Sequence, residues 1–158
     1  MNNEPIQPHK SSLGMNANKV IVIIYVGMSI LFWISYAKYF AWILPVLIFL
    51  VEKSSKFIKF NAVQAFFICI IRAAISILLN LLGRALTRTP AEYAAMTTDV
   101  RNRWQSAALL PGEIDIFVGI GFIVLVLYIV LRTYDYAPIG LPGIKNIASK
   151  MSKLELND

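Results

Sequence analysis

The sequence predicts an all-α integral membrane protein: a small bundle of four transmembrane helices with short amphipathic helices. The composition points that way, because 58% of the 158 residues are hydrophobic, only 15% are charged, and the mean hydropathy is +0.64. An average soluble domain is about half apolar and about a quarter charged. The apolar residues also occur in runs long enough for membrane helices. Together these observations argue against a disordered chain, a nucleic-acid-binding domain and a typical cytosolic enzyme.

The first apolar region has room for two short membrane segments. Residues 1–19 are polar and contain turn-forming residues, so we predict a flexible tail there. The apolar run over residues 20–51 would make a helix about 48 Å long, which exceeds the about 30 Å of the hydrocarbon core. A turn near Ser35–Lys38 would place the Lys38 ammonium at the membrane interface, among several aromatic side chains. We therefore predict a hairpin of segments 20–35 and 39–51.

Two other interpretations of this region remain open. Pro45 is expected to kink the second segment of the hairpin. One kinked and tilted helix in place of the hairpin would reduce the bundle to three spans. A cleaved signal peptide is disfavoured relative to a retained signal anchor, because the apolar run resumes after the small residues Ser35 and Ala37.

A polar stripe marks the next predicted helix. Residues 52–59 interrupt the hydropathy, and Ser54 or Ser55 is suited to cap a helix over 57–83. Polar side chains recur along that helix at the spacing of one face, and such a face should turn toward other helices or water rather than lipid. Arg72, near the middle, needs a partner, a helix carbonyl, a polar cavity or an interface defect at that depth. The stripe comprises Asn61, Gln64, Arg72, Ser76 and Asn80.

The remaining chain is predicted to hold one more span between two amphipathic helices. Thr89-Pro90-Ala91-Glu92 matches a capping box, so a helix over about 90–109 is expected, ended by Pro111-Gly112 and lying either on the membrane or on the protein's own loops. The span 114–133 has acidic residues at its start and Arg132 at its end, as the helix dipole favours. The 135–158 region is predicted to be a cytoplasmic tail whose small basic helix suits an anionic membrane surface.

The distribution of basic residues predicts the orientation. With four spans in the membrane domain, residues 20–134, both termini share a side that carries Lys10, Lys19, Lys53, Lys56, Lys59, Arg132, Lys145, Lys150 and Lys153. The opposite side carries Lys38, Arg84, Arg88, Arg101 and Arg103. Because basic residues favour the cytoplasm, both termini are expected to be cytoplasmic in a cell membrane. With three spans the charges divide almost evenly and give no orientation.

One nine-residue block resembles a known family. Residues 57–65 read Phe-Ile-Lys-Phe-Asn-Ala-Val-Gln-Ala. This block resembles the membrane-protein family of the twenty-kilodalton component of the chloroplast inner-envelope import machinery and its bacterial relatives. Segments around Pro45 and at 136–140 fit the same family, so the resemblance covers roughly residues 35–150. The sequence departs from the family in its extra apolar segment 20–34 and its long 84–113 loop. The motif residues are Phe57, Lys59, Phe60, Asn61, Ala62, Gln64 and Ala65.

The resemblance implies a small α-helical membrane bundle and, by analogy, a role in protein translocation. The residues themselves suggest a channel-like or accessory subunit of a transport assembly whose stripe faces water. The alternative is a structural or interaction protein whose stripe cements helix packing. The expected partners are the lipid bilayer and other membrane proteins or further copies of the chain, with no nucleic acid. No enzyme, metal or cofactor is predicted, because one cysteine, Cys69, and one histidine, His9, cannot form a multi-ligand site.

Overall fold

The computed structural model describes residues 6–154 and is all-helical over that range, without strands. The helices are α1 (Ala17–Trp33), α2 (Ile43–Val51), α3 (Lys56–Leu86), α4 (Pro90–Ala94), α5 (Thr98–Tyr134) and α6 (Lys145–Ser152), with a 3₁₀ turn at Ala37–Tyr39. The chain forms two compact units. Among the described residues, the first comprises 6–71 and 123–154, and the second comprises 72–122, so α3 and α5 each contribute to both.

Two helices, α3 and α5, are long and apolar enough to cross a membrane. At 1.5 Å per residue they measure about 46 Å and about 56 Å, against about 30 Å of hydrocarbon. Helix α1 is apolar but has 17 residues, and α2 has only nine, or about 14 Å. An all-α membrane architecture is therefore supported, whereas four spans are not shown.

The break predicted near Ser35–Lys38 is present, because α1 ends at Trp33 and the 3₁₀ turn separates it from α2. The two helices approach closely at Gly27, where a Cβ atom would lie 2.7 Å from Leu44 Cδ2. The predicted kink at Pro45 is wrong. Pro45 lies in the first turn of α2, where its missing N–H is not needed for the helix.

Helix α5 corrects the prediction for residues 90–133. The helix expected at 90–109 is divided between α4, which has the predicted Thr89–Glu92 capping box, and the start of α5. The expected end at Pro111-Gly112 is wrong, because α5 continues through Pro111 to Tyr134. Pro111 is buried and a Cβ on Gly83 would lie 3.8 Å from its ring, so packing and the flanking helical turns offset the one lost hydrogen bond.

The predicted flexible tail is also corrected from residue 6 onward, while residues 1–5 lie outside the described range. Residues 6–16 form a loop on the first unit, where His9 Nε2 lies 2.7 Å from Ser55 Oγ. Ser55 Oγ accepts a bond from Ile58 N and caps α3, as the sequence suggests. At the other end of the chain, α6 packs through Ala148 against Phe60 of α3 rather than presenting its whole apolar face outward.

Candidate functional site

The polar stripe lies on α3 and is divided between the two units. Asn61 and Gln64 belong to the first unit, and Arg72, Ser76 and Asn80 belong to the second. All of these residues except Asn80 are buried. The two groups are therefore separate sites, each with its own hydrogen-bond partners.

Asn61 ties α3 to its own turn and to α1. Its side-chain amide donates to the Phe57 carbonyl at 3.0 Å. The Tyr25 hydroxyl of α1 donates to the Asn61 carbonyl at 3.3 Å and contacts its Oδ1 at 3.4 Å. Both side chains are fully buried, so their polar groups are satisfied within the protein.

Gln64 binds the backbone of the segment that follows α5. Its Nε2 donates to the Ile139 carbonyl at 2.8 Å, and its Oε1 accepts from the Leu141 amide at 2.8 Å. A glutamine amide carries both a donor and an acceptor, so one side chain satisfies two groups of a turn-rich segment that lacks helical hydrogen bonds. Gln64 thereby fixes the turn 137–143 on α3.

The other members of the 57–65 block pack inside the first unit. Phe57 stacks on Tyr136, with ring centroids 5.9 Å apart. Phe60 joins a cluster with Val63 and Ala148 of α6. The two alanines, Ala62 and Ala65, are fully buried, and the Lys59 ammonium lies 5.8 Å from the centre of the Phe49 ring.

In the second unit, Arg72 forms an ion pair with Asp115 of α5. Arg72 Nη1 lies 2.5 Å from Asp115 Oδ1, and Nη2 donates to the Asp115 carbonyl at 3.2 Å. Ser76 Oγ donates to the same Oδ1 at 2.6 Å and also contacts Arg72 Nη1. The side chain of Arg72 is only 4% exposed and that of Asp115 is 18% exposed. Of the alternatives that the sequence left open for Arg72, the structure shows a partner, the Asp115 carboxylate.

The ion pair leaves little room around the guanidinium. A Cβ atom at Gly119 would lie 3.3 Å from Arg72 Nη2, so the absence of a side chain there allows α5 to approach. Arg72 Nε is buried and makes no hydrogen bond within the described structure. Asn80, one turn beyond Ser76, donates to the Ser76 carbonyl at 2.8 Å.

An open cavity of about 310 Å³ reaches Asp115 from the surface of the second unit. Asn80, Gly83, Arg84 and Thr87 of α3 and its C-terminal end line one wall, and Ala108, Leu109, Pro111 and Gly112 of α5 line the other. The cavity gives water a route toward a carboxylate that already binds Arg72 and Ser76. Among residues 6–154, no group of three or more His, Cys, Asp or Glu side chains is placed to hold a metal ion.

Sequence reasoning missed Asp115 as a site residue. It treated this acid as a helix N-terminal charge, because Pro111-Gly112 was interpreted as a helix end. In a continuous α5, the same residue lies within a long apolar helix, where an acid requires a cation. The available signal was the charge of Arg72 within an apolar helix, because such a cation needs a polar or anionic partner, and the structure provides Asp115.

Glu52 is a buried acid whose hydrogen-bond partners the sequence did not predict. Its carboxylate accepts from the backbone N–H groups of Ser12, Ser54 and Ser55 and from the Ser54 hydroxyl, at 2.9–3.2 Å. Burial by itself would raise the pKa of Glu52, but the hydrogen bonds from Ser55, Ser12 and Ser54 outweigh it and lower the pKa below its usual value of 4.5. Glu52 thus joins the N-terminal loop to the start of α3.

Acidification should break the hydrogen bonds by which Glu52 joins the N-terminal loop to the start of α3. Because the folded-state pKa of Glu52 is lowered, its stabilising effect is fully present above pH 4.5 and is lost as the pH falls through the lower folded value. The amide resonances of Ser12, Ser54 and Ser55, followed by NMR in detergent micelles, should titrate together with a midpoint below 4.5. The Glu52→Gln variant should show no such transition, and a wild-type midpoint at or above 4.5 would contradict the assignment.

Both polar sites are thus defined by the residues of this chain alone. Comparison of the chain with models of protein families, with curated proteins and with solved structures gives no match.

Proposed function

We propose that the protein is a multi-pass membrane protein that serves as an accessory subunit of a transport or translocation assembly, and that its polar stripe holds its own helices together. One observation favours a packing role of the stripe over a pore-lining role. Asn61, Gln64, Arg72, Ser76 and Asn80 all make polar contacts inside the chain, and four of the five are buried. Side chains that line an aqueous pore would instead need to face water.

The outer surfaces support residence in a bilayer and contact with other membrane proteins. Helix α5 exposes large apolar side chains along much of its length, including Phe117 at 72%, Val124 at 61% and Leu131 at 70%. Lipid tails and partner helices are the environments that cover such surfaces. Nine basic residues on the side of the termini against five on the other favour cytoplasmic termini in a cell membrane, with α1 and α2 as a third and a fourth membrane segment.

The resemblance of block 57–65 supports the translocation part of the proposal. The block's buried residues hold α6 and the turn 137–143 on the first unit. If the family has this block for the same reason, the motif is a folding element of the bundle, and the transport role comes from the assembly that the bundle joins.

A thiol accessibility experiment tests the assignment of the stripe. Single cysteines at Gln64 and Ser76, in a Cys69→Ala background, should resist a membrane-impermeant maleimide, because both positions are buried and bonded within the chain. Thr97→Cys, in the exposed connection between α4 and α5, should react in the same sample. Rapid labelling at position 64 or 76 in a folded variant would contradict the proposal.

Purification of the tagged full chain in mild detergent, followed by mass spectrometry, tests the accessory role. A stoichiometric membrane transporter, translocase or insertase should co-purify. Recovery of a lone homo-oligomer that conducts ions after reconstitution would overturn the proposal.

A channel-like function is the second candidate, favoured by the open cavity that reaches Asp115. Its polar wall, with Asn80 and Arg84, is the feature expected of a hydrated path. This candidate predicts a conductance in planar bilayers that falls when Asn80 or Arg84 is replaced by leucine. An accessory subunit predicts no conductance to lose.

A further inference from the structure

The first unit contains an apolar groove between α2 and α3 that none of the polar contacts described above explains. Its volume is about 310 Å³, at the lower end of the range of roughly 300–1,000 Å³ typical of ligand sites. All its lining side chains are apolar, and α6 contributes one of them, Met151. The lining residues are Pro45, Val46, Phe49, Ala62, Val63, Phe66, Phe67 and Met151.

Basic side chains occur on α3 and α6, two of the helices that contribute to the groove lining. The Lys59 ammonium lies over the ring of Phe49, which lines the groove. Lys150, adjacent to Met151 in the sequence, is exposed, as is Lys153 at the end of α6. The carboxylate of Glu52, which follows α2, is buried and accepts hydrogen bonds from four donor groups of its own loop and the N-terminal loop, so it is already occupied.

We propose that this groove binds one anionic phospholipid, with an acyl chain along α2 and α3 and the headgroup against Lys59 and the lysines of α6. The walls provide no hydrogen-bonding side chain, so the buried part of the occupant is a hydrocarbon. The Lys59 ammonium over Phe49 and the exposed lysines of α6 complement a negative group, so the occupant is an amphiphile with a negative head. Basic pockets between membrane helices bind anionic headgroups in this way.

The inference goes beyond the accessory role and depends only on residence in a bilayer. It also gives Lys59 a part distinct from that of the buried members of the 57–65 block. Those residues complete the core, whereas the half-buried Lys59 contacts the rim of the groove.

Native mass spectrometry of the full chain tests the proposal with two added lipids, phosphatidylglycerol and phosphatidylcholine of identical acyl chains. Wild-type protein should retain one phosphatidylglycerol in preference to phosphatidylcholine. Lys59→Gln should weaken that retention about fivefold, the effect of about one lysine at an anionic surface. Val46→Trp, which fills the groove, should abolish retention of the tightly bound lipid.

Two matched controls distinguish a site from general lipid contact. Leu47→Trp adds the same side chain at the neighbouring, exposed position of α2 that does not line the groove, and Lys38→Gln removes a lysine at the 3₁₀ turn. Both should retain the lipid as wild type does. Equal retention of phosphatidylglycerol and phosphatidylcholine would overturn the proposal, as would equal loss of lipid from a variant and its control. In a separate crosslinking experiment from position Val46, capture of a partner protein in place of lipid would also overturn it. If Val46→Trp fails to fold, the comparison of lipid retention between Lys59→Gln and Lys38→Gln still tests the proposal.

Discussion

Replacing Arg72 by leucine should lower the free energy of unfolding by about 3–5 kcal/mol, because the Asp115 carboxylate is left in a largely buried position without its cation. Asp115→Leu should cost at least as much, since Arg72 is the more deeply buried partner. Either single variant should lose monodispersity in mild detergent. Reversible unfolding, measured by steric trapping in bicelles, provides the free energies.

The double variant Arg72→Met/Asp115→Leu should recover most of the loss. Removing both charges removes the desolvation cost together with the attraction, so an apolar pair of similar volume is often neutral or better. The control is Arg103→Leu, which removes an exposed arginine of α5 and should change the stability by no more than about 0.5 kcal/mol. If either single variant lowered the free energy of unfolding no more than Arg103→Leu does, the ion pair would not be important for stability.

The double variant also separates the two candidate functions. If the ion pair only holds α3 and α5 together in the second unit, the folded double variant should keep every partner that co-purifies with wild type. If the Asp115 carboxylate serves ion passage, the same variant should fold but lose conductance.

Gln64→Leu should detach the turn 137–143 from α3. The substitution removes two hydrogen bonds of 2.8 Å and leaves the Ile139 carbonyl and the Leu141 amide without this partner. Because both residues are half-buried, each loss should cost about 1 kcal/mol, the lower end of the range for buried groups. Hydrogen–deuterium exchange should accelerate at the Leu141 amide and along α6, which packs on the same stretch of α3.

Gln105→Leu is the matched control, because it makes the same substitution at an exposed position of α5. Exchange at Leu141 and in α6 should be unchanged in that variant. Unaltered exchange in Gln64→Leu would mean that other contacts, such as Phe57 against Tyr136, suffice to hold the segment.

Much of the helical architecture could be predicted from the sequence, because it follows from apolar run length and local signals. The break after Trp33, the Thr89–Glu92 capping box and the cap at Ser55 are set by residues within one turn of each other. The spacing of the stripe residues also predicted correctly that all five lie on one helix. Such local patterns do not need knowledge of the tertiary structure.

What the sequence could not provide were the partners of those residues. The end expected at Pro111 was wrong, because a proline inside an apolar helix is tolerated when neighbouring packing supports it. Asp115 was consequently assigned to a helix end, and its pairing with Arg72, across 43 positions of sequence, was not foreseen. Gln64 contacts Ile139 and Leu141, which lie 75 and 77 positions later in the sequence, and these contacts depend on tertiary packing alone.

The long sequence separation of the Gln64 contacts has a consequence for biosynthesis. Helix α3 is synthesised well before residues 139–141, so during translation the Gln64 amide has neither its donor nor its acceptor. Until residues 139–148 have been synthesised, the Gln64 side chain lacks its partners from the turn 137–143, and Phe60 lacks its contact with α6. The core of the first unit therefore closes only after α5 has been synthesised. A chain that stops before residue 139 would lack both backbone partners of the Gln64 amide, so we expect α3 to pack less stably in such a chain.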